Sequence, residues 1–416
     1  MEPGVDAGVR PVVCALSVSD ILRDARVCRQ CDACHDAGWQ VFAAGLGTAP
    51  AKQRRWTLLA APAAASTGPD APTRSGRLVR RSRTALSLLR ARMQPSHALR
   101  FFWDTWPEPR IVYQAARRVR ADLWIANDWT ALPIAARLAA ERGGRYAYDS
   151  HELAVDENEQ RRAWRMWNRP VVRAIERRLI GGAAFVATVS PGIAEELRRR
   201  YRLERSPLVV RNTPSYGSVP FRPAGDRIRV LFHGIVVPGR GLEECIDSVA
   251  LWRPEFDLSI RGPGAPSYID SLRRRIVERG VAERVTLLPP VAAGALVAEA
   301  AAFDIGMHPL PGHSRHNRLS LSNKLFDYIM AGLALCVSNL PEMARLLRDY
   351  RLGVTIGAVE PGAIAQAING LDRPRLDAFK RNALLAAREL CWENESRALV
   401  AACAAAVGEQ ASRIRS

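Results

Sequence analysis

The chain has 416 residues, 48% hydrophobic and 25% charged, and 60 Lys and Arg against 42 Asp and Glu leave a formal charge of +18. That length holds roughly two to three domains, and a composition near the globular average excludes a wholly disordered chain. No run reaches the ~18 to 20 apolar residues of a membrane span, and no fixed-period repeat marks a solenoid.

Such a surplus of positive charge suits a polyanion, a phosphorylated ligand or an anionic membrane surface. Nearly all of it is Arg. The lysines are Lys52, Lys324 and Lys380. Where Arg has replaced almost every Lys, a surviving Lys marks a position that Arg does not serve equally well.

In chain order, the apolar run 11–18 meets Asp20, Arg23 and Asp24 at once. It reads as a first strand and not a signal peptide, which implies a cytoplasmic protein with reduced cysteines. Cys28, Cys31 and Cys34 follow with the spacing C-x2-C-x2-C, and His35 is next. Two readings stand: a metal or cluster site, or small apolar fillers at steps of three on a helix. No second CxxC follows and the helical pattern continues to residue 37, which favours packing.

Further strands are predicted at 39–46, 122–127, 145–150, 184–190 and 208–211, with helices at 129–141 and 191–201 among them. Residues 213–226 are rich in Pro, Gly and Ser and read as a linker. The alternation restarts with strands at 227–233, 256–261, 284–288, 304–308, 334–338 and 353–356. Helices are predicted at 242–252, 266–279, 292–302, 323–331, 341–349 and 361–371. Alternating β and α elements mean parallel sheets covered by helices. The predicted fold class is α/β: two doubly wound, Rossmann-like domains facing a cleft. The divisions are 1–212, a linker 213–226, 227–385, and a C-terminal helix 386–416.

Right-handed crossovers put all strand carboxyl ends on one side, so ligand groups belong just after strands. There stand Asp128, His151 with Glu152, Ser190, Gly234, Gly262, Pro289 and the stretch from Pro309. Three runs carry chemistry. The strongest is 320–335, SLSNKLFDYIMAGLAL. Ser320, Ser322 and Asn323 lead into an amphipathic helix whose free N–H groups suit phosphate. Lys324 adds a charge in the first turn, where the helix dipole disfavours a cation unless an anion is near. Asp327, one turn on, could reach ribose hydroxyls.

The second run is 230–243, VLFHGIVVPGRGLE. Gly234, Gly239 and Gly241 permit close backbone approach to a ligand, and the fork of Arg240 can grip a diphosphate. It matches neither a P-loop nor GxGxxG. The third is 148–153, YDSHEL, where His151 follows a strand on the ligand side.

Together with 124–129 (WIANDW), 187–193 (ATVSPGI), 210–214 (VRNTP), 260–264 (IRGPG) and 285–290 (VTLLPP), these runs span the chain in order. The set resembles retaining GT-B glycosyltransferases of the family-4-like type, glycosyl transferases group 1. The resemblance implies an amino-terminal acceptor domain and a carboxy-terminal nucleotide-sugar domain. It also implies a last helix near Trp392 that packs back across the cleft. It casts Arg240 as the holder of the donor diphosphate and Ser322 to Lys324 as the phosphate-binding helix start. Asp327 takes the place of the second Glu of the family's Glu pair, which binds donor ribose. His151 is cast as the first-domain His beside the transferred sugar. Gly239, Gly241 and Gly262 complete the donor side, and Asp128 and Glu152 stand on the acceptor side.

There are departures. Asp327 is shorter than Glu, Leu319 stands where the first Glu is expected, and Ile235 and Val236 occupy the turn that often carries a basic residue. These imply altered donor contacts more than lost activity.

The expected enzyme is a hexosyltransferase-like, retaining glycosyltransferase of bacterial polysaccharide or glycolipid synthesis. It takes a UDP- or GDP-sugar as donor. No D-x-D triplet occurs, so no metal and no other cofactor is expected. Arg-rich stretches with aromatic or apolar neighbours, 77–100 and 161–178, are either solvated helical faces or docking surfaces. The latter would meet an anionic membrane with a lipid-linked acceptor, peripherally, on its inner face. A sugar-nucleotide epimerase and a basic nucleic-acid-binding protein are the alternatives. The second explains the charge but not the strand-end glycines, and no specific nucleic acid is expected.

Overall fold

The computed structural model describes residues 10–47, 54–61 and 97–415, with side chains through 408. Lys52 and residues 77–96 of the first Arg-rich stretch lie outside the described residues. The chain divides into two units, 1–210 with 396–416, and 211–395.

The first unit holds a parallel sheet. Its strands are β1 (Val12–Asp20), β2 (Gln40–Leu46), β3 (Thr57–Ala61), β4 (Leu123–Asn127), β5 (Arg145–Ser150), β6 (Val186–Thr188) and β7 (Leu208–Val209). Their spatial order is β3-β2-β1-β4-β5-β6-β7. Strand β3 and the helices Ala98–Thr105 and Pro107–Ala116 are additions to the predicted elements. In the helix Ala25–Asp36, Cys28, Cys31 and Cys34 are all buried, as the packing reading expects.

The second unit holds β8 (Ile228–His233), β9 (Phe256–Arg261), β10 (Val285–Leu288), β11 (Ile305–His308), β12 (Ala334–Ser338) and β13 (Gly353–Ile356). The order is β10-β9-β8-β11-β12-β13, again parallel. Its strands β11 and β12 are buried on both faces, as a sheet covered by helices requires. Val230 and Phe232 of β8 join Met307, Cys336 and the helix residue Ile246 in one cluster. The alternate residue, Leu231, joins Leu335, Val337, Tyr328 and Ile329 in another. Fully burying each such large side chain contributes about 1.5–3 kcal/mol.

Two boundaries move. Residues 213–225 carry no helix or strand, but the segment beginning at Arg211 is tied to the second unit. Arg211 donates from its backbone and its guanidinium to Glu395, Trp392 N donates to the Pro214 carbonyl, and Tyr216 N donates to Glu393. The expected single helix 386–416 is broken. Residues up to Glu389 complete the helix Arg373–Glu389, the backbone turns at Leu390, and a new helix runs Trp392–Arg415. The helix predicted at 292–302 shortens to a 3-10 turn, Ala293–Ala295, and Leu296–Ala300.

Candidate active site

The second unit gathers most of the donor-side residues. Strand β8 ends in His233, and Gly234 turns the chain at φ +126°. A Cβ on Gly234 would lie 2.1 Å from Lys324 Cε and 2.7 Å from Nζ, so the lysine side chain rests on this glycine. Gly262 follows β9 at φ +152°, and its missing Cβ lets the Gly234 carbonyl approach. Gly234 N donates to the Arg261 carbonyl and Val236 N to that of Pro263, fastening the two strand-end loops together. Gly241, at φ +74°, opens the helix Leu242–Val249 where a side chain would strike the Pro309 carbonyl. A Cβ on Gly239 would meet nothing within 4 Å.

Lys324 is the second residue of the helix Asn323–Met330, whose N-cap Ser322 is extended and makes no side-chain capping bond. Leu325 N donates to the Ser322 carbonyl, and the amides of Asn323 and Lys324 before it keep their capacity for an anion. Helix hydrophobicity sets the rest: Leu325, Phe326, Tyr328 and Ile329 are buried. Gly306 leaves room for the Tyr328 ring, where a Cβ would come within 2.2 Å of it. The Tyr328 hydroxyl accepts from His233 N at 2.9 Å and donates to the Met307 carbonyl at 3.2 Å.

Burial, with Arg240 close by, lowers the Lys324 ammonium to about 8, and Asp327 opposes the shift. A lysine held near a second cation in a desolvated pocket gains from an anion. Asp327 lies 3.5 Å from His233 Nε2, and the His233 ring stacks on Tyr328. Burial together with Lys324 and Arg261 lowers His233 to about 3. Burial together with Lys324, Arg240 and His233 puts His308 well below its ordinary value.

The first unit carries a separate polar cluster at the ends of β4 and β5. His151 Nε2 lies 3.1 Å from Asn127 Oδ1 and 3.2 Å from Asp149 Oδ2, and Nδ1 lies 3.7 Å from Asp128. Asp149 is buried and held by Arg26, whose Nε and Nη2 donate at 2.8 and 2.9 Å, while Gln30 also donates to it. The third guanidinium nitrogen of Arg26 donates to the Val210 carbonyl. Burial disfavours the imidazolium, but Asp149 and Asp128 outweigh it and raise His151 to about 9. Burial lifts Asp128 to about 6, with His151 opposing and Glu152 and Asp149 adding. Asp128 itself sits at φ +66°, a conformation that Asp tolerates better than most residues. Glu152 follows at the strand end, where its carbonyl accepts from Ser150 Oγ.

Thus Gly234, Gly262, Lys324 and Asp327 come together, with Arg240 in electrostatic reach of Lys324, while Asp128, His151 and Glu152 form the other group. Ser190 is a helix cap, its hydroxyl accepting from Ile193 N. Sequence reading overlooked His233, His308 and Arg261, although each ends a strand on the ligand side. No local pattern marks Arg26 and Gln30, whose pairing with Asp149 spans more than 100 positions, or Asn127, whose partner His151 is 24 positions away. In the Arg-rich segment 161–178, Trp164 packs against Ala154, Val155 and Val172. Met166 beside it is 47% exposed. No helix among the described residues is long and apolar enough to cross a membrane.

Residues 24–213 match the glycosyl transferase 4-like domain, and residues 227–372 match glycosyl transferases group 1. No curated protein matches the chain in sequence. The fold is similar to sucrose-phosphate synthase from Thermosynechococcus elongatus, with a TM-score of 0.69 at 14% identity, over 94% of this chain and 97% of that one. It is similar to HepE of Anabaena in complex with UDP and glucose, with a TM-score of 0.68 at 16% identity, over 95% and 100%. It is also similar to WaaG, a glycosyltransferase involved in lipopolysaccharide biosynthesis, with a TM-score of 0.59 at 14% identity, over 94% and 98%. With two doubly wound units, both family matches and these likenesses in agreement, the chain belongs to the GT-B glycosyltransferases, with a 4-like domain followed by a group 1 domain.

Proposed function

We propose that the protein moves a hexose-type sugar from a nucleoside-diphosphate sugar to an acceptor hydroxyl, with retention of configuration. The observation that carries the reading is the placement of Lys324. It rests on a side-chain-free Gly234, at an uncapped helix start, where burial first and the repulsion of Arg240 second lower its proton affinity. A diphosphate relieves that repulsion and takes the free amides. In the reaction the leaving diphosphate gains charge, and fixed cations and amides are worth most at that moment. Arg240, Lys324 and the amides near Asn323 do this work without a metal; the lack of a D-x-D triplet supports that assignment. Leaving-phosphate assistance on the front face suits retention. Asp327 holds donor ribose, and His151 acts beside the transferred sugar.

The similar fold of HepE, solved with UDP and with UDP-glucose, supports a nucleotide-sugar donor, UDP- or GDP-linked. The likeness to WaaG supports a role in bacterial polysaccharide or glycolipid synthesis. A lipid-linked acceptor at an anionic surface fits exposed Met166 among Arg161, Arg162 and Arg165.

The test is calorimetry with UDP, GDP and their sugars, on the natural protein and on Lys324→Ala. Binding by the former, weakened at least tenfold in the latter, supports the reading. Equal binding by both removes Lys324 from it.

A further inference from the structure

Four ring nitrogens in the second unit are buried without a hydrogen-bond partner, those of His233 and His308. The two residues are 2% and 1% exposed. Unpaired buried polar atoms are rare because they destabilise the fold, and each calls for an explanation.

Their position supplies one. His233 ends β8 and His308 ends β11. These strands pair with Ile305 opposite Val230 and Gly306 opposite Leu231. Continuing the register sets His308 beside His233. Between β8 and β11 the strand order reverses direction. In open α/β sheets that reversal opens a crevice at the strand carboxyl ends, where ligands bind. The pair therefore lies at the switch point, alongside Lys324 and Arg240.

Charge then decides what they can hold. Burial and the nearby cations Lys324, Arg240 and Arg261 keep both imidazoles neutral. Glu299 pairs with Arg261, and Asp327 is the carboxylate facing His233. A neutral imidazole has one N–H donor and one acceptor nitrogen, so the pair offers two of each. Asp327 can take one N–H after a small adjustment from 3.5 Å. A phosphate ester ionised at neutral pH only accepts, so it cannot satisfy the two acceptor nitrogens. Hydroxyls both donate and accept. A ring bearing adjacent hydroxyls fits the pair; a phosphate alone does not.

We infer that His233 and His308 are specificity residues that hold hydroxyls of a sugar ring in the bound nucleotide sugar. The inference rests on the nucleotide-sugar reading above. The cations serve the diphosphate and, by keeping the imidazoles neutral, preserve the acceptor nitrogens that read the sugar.

The experiment compares the natural protein with His308→Leu, His308→Gln and His233→Leu. Calorimetry uses UDP, 2′-deoxy-UDP, UDP-glucose, UDP-N-acetylglucosamine and GDP-mannose, with melting temperature measured for each variant. Each Leu variant should melt no lower than the natural protein, because it removes an unpaired polar group. If the pair holds the transferred sugar, the Leu variants should bind the nucleotide sugar at least tenfold more weakly and UDP within twofold. If the hydroxyls are those of ribose, UDP and UDP-glucose should weaken together while 2′-deoxy-UDP does not. Either pattern supports the inference, with His308→Gln restoring most of the affinity through its own donor and acceptor. Unchanged binding of every ligand overturns it. So does a lower melting temperature with equal loss for all ligands, which makes the imidazoles structural. Failure of the natural protein to bind any of the nucleotides removes the donor reading itself, and this inference with it.

Discussion

Lys324 lies on Gly234: a methyl group added to the glycine would come within 2.1 Å of the lysine Cε. Gly234→Ala must therefore push the ammonium away and also adopt φ +126°, a strain of about 1–3 kcal/mol. The variant should melt several degrees lower and bind nucleotide about tenfold more weakly. Gly280→Ala is the control, since it is strained at φ +65° but meets nothing and lies in the loop before β10. Equal binding by both variants would separate Lys324 placement from ligand affinity.

Lys324→Ala should cost about 2–4 kcal/mol of transition-state stabilisation. Lys324→Arg should also be impaired, because a forked guanidinium does not fit a space shaped for an ammonium. Affinity should depend on pH with a definite sign. The free lysine loses its proton around pH 8, and a diphosphate binds its charged form. Affinity should thus fall as pH rises through about 8, by up to roughly tenfold per unit. Calorimetry from pH 6.5 to 9.5 reads the slope, and Lys324→Arg should flatten it.

His151 should affect stability and turnover but not nucleotide affinity. Its folded value, about 9, lies above the ordinary value of 6.5. Its contribution to stability is therefore fully present below about pH 6.5 and is lost as pH rises through about 9, at most about 3 kcal/mol. Melting of the natural protein and of His151→Gln should converge over that window. His151→Ala should keep nucleoside diphosphate affinity within about twofold, while turnover falls on the order of 10² or more. Loss of nucleotide binding in a folded His151→Ala would contradict the division of roles.

Arg26→Ala should be severely destabilising. It leaves Asp149, 1% exposed, without its bidentate partner, and breaking a buried pair from one side costs about 3–5 kcal/mol. Chemical denaturation measures it, and a loss under 1 kcal/mol would mean that Gln30 and His151 suffice.

Strand positions were legible because each apolar run is short and bounded by helical periodicity, and because carboxyl-end placement follows from right-handed crossovers. Strand β3 escaped because Thr57–Ala61 joins the sheet only through β2 and carries little alternation of its own. The scarcity of Lys pointed to Lys324, yet Lys380 is as scarce and is a buried partner of Asp304 at 2.8 Å. Rarity alone does not separate a ligand group from a structural ion pair. His233 and His308 looked like ordinary strand ends. Their significance depends on β8 lying beside β11 across 75 residues, a relationship that no local pattern encodes. The same holds for Arg26 and Asp149, 123 positions apart.

The most direct measurement incubates the intact protein with a panel of UDP- and GDP-sugars and follows the products by mass spectrometry, with single-stranded DNA binding measured in parallel at ~150 mM salt. Glycosyl transfer at this site predicts release of nucleoside diphosphate with transfer or slow hydrolysis of the sugar. Both should be lost in Lys324→Ala, with weak DNA binding throughout. Tight DNA binding at that salt, with no nucleotide sugar bound or consumed, would contradict it.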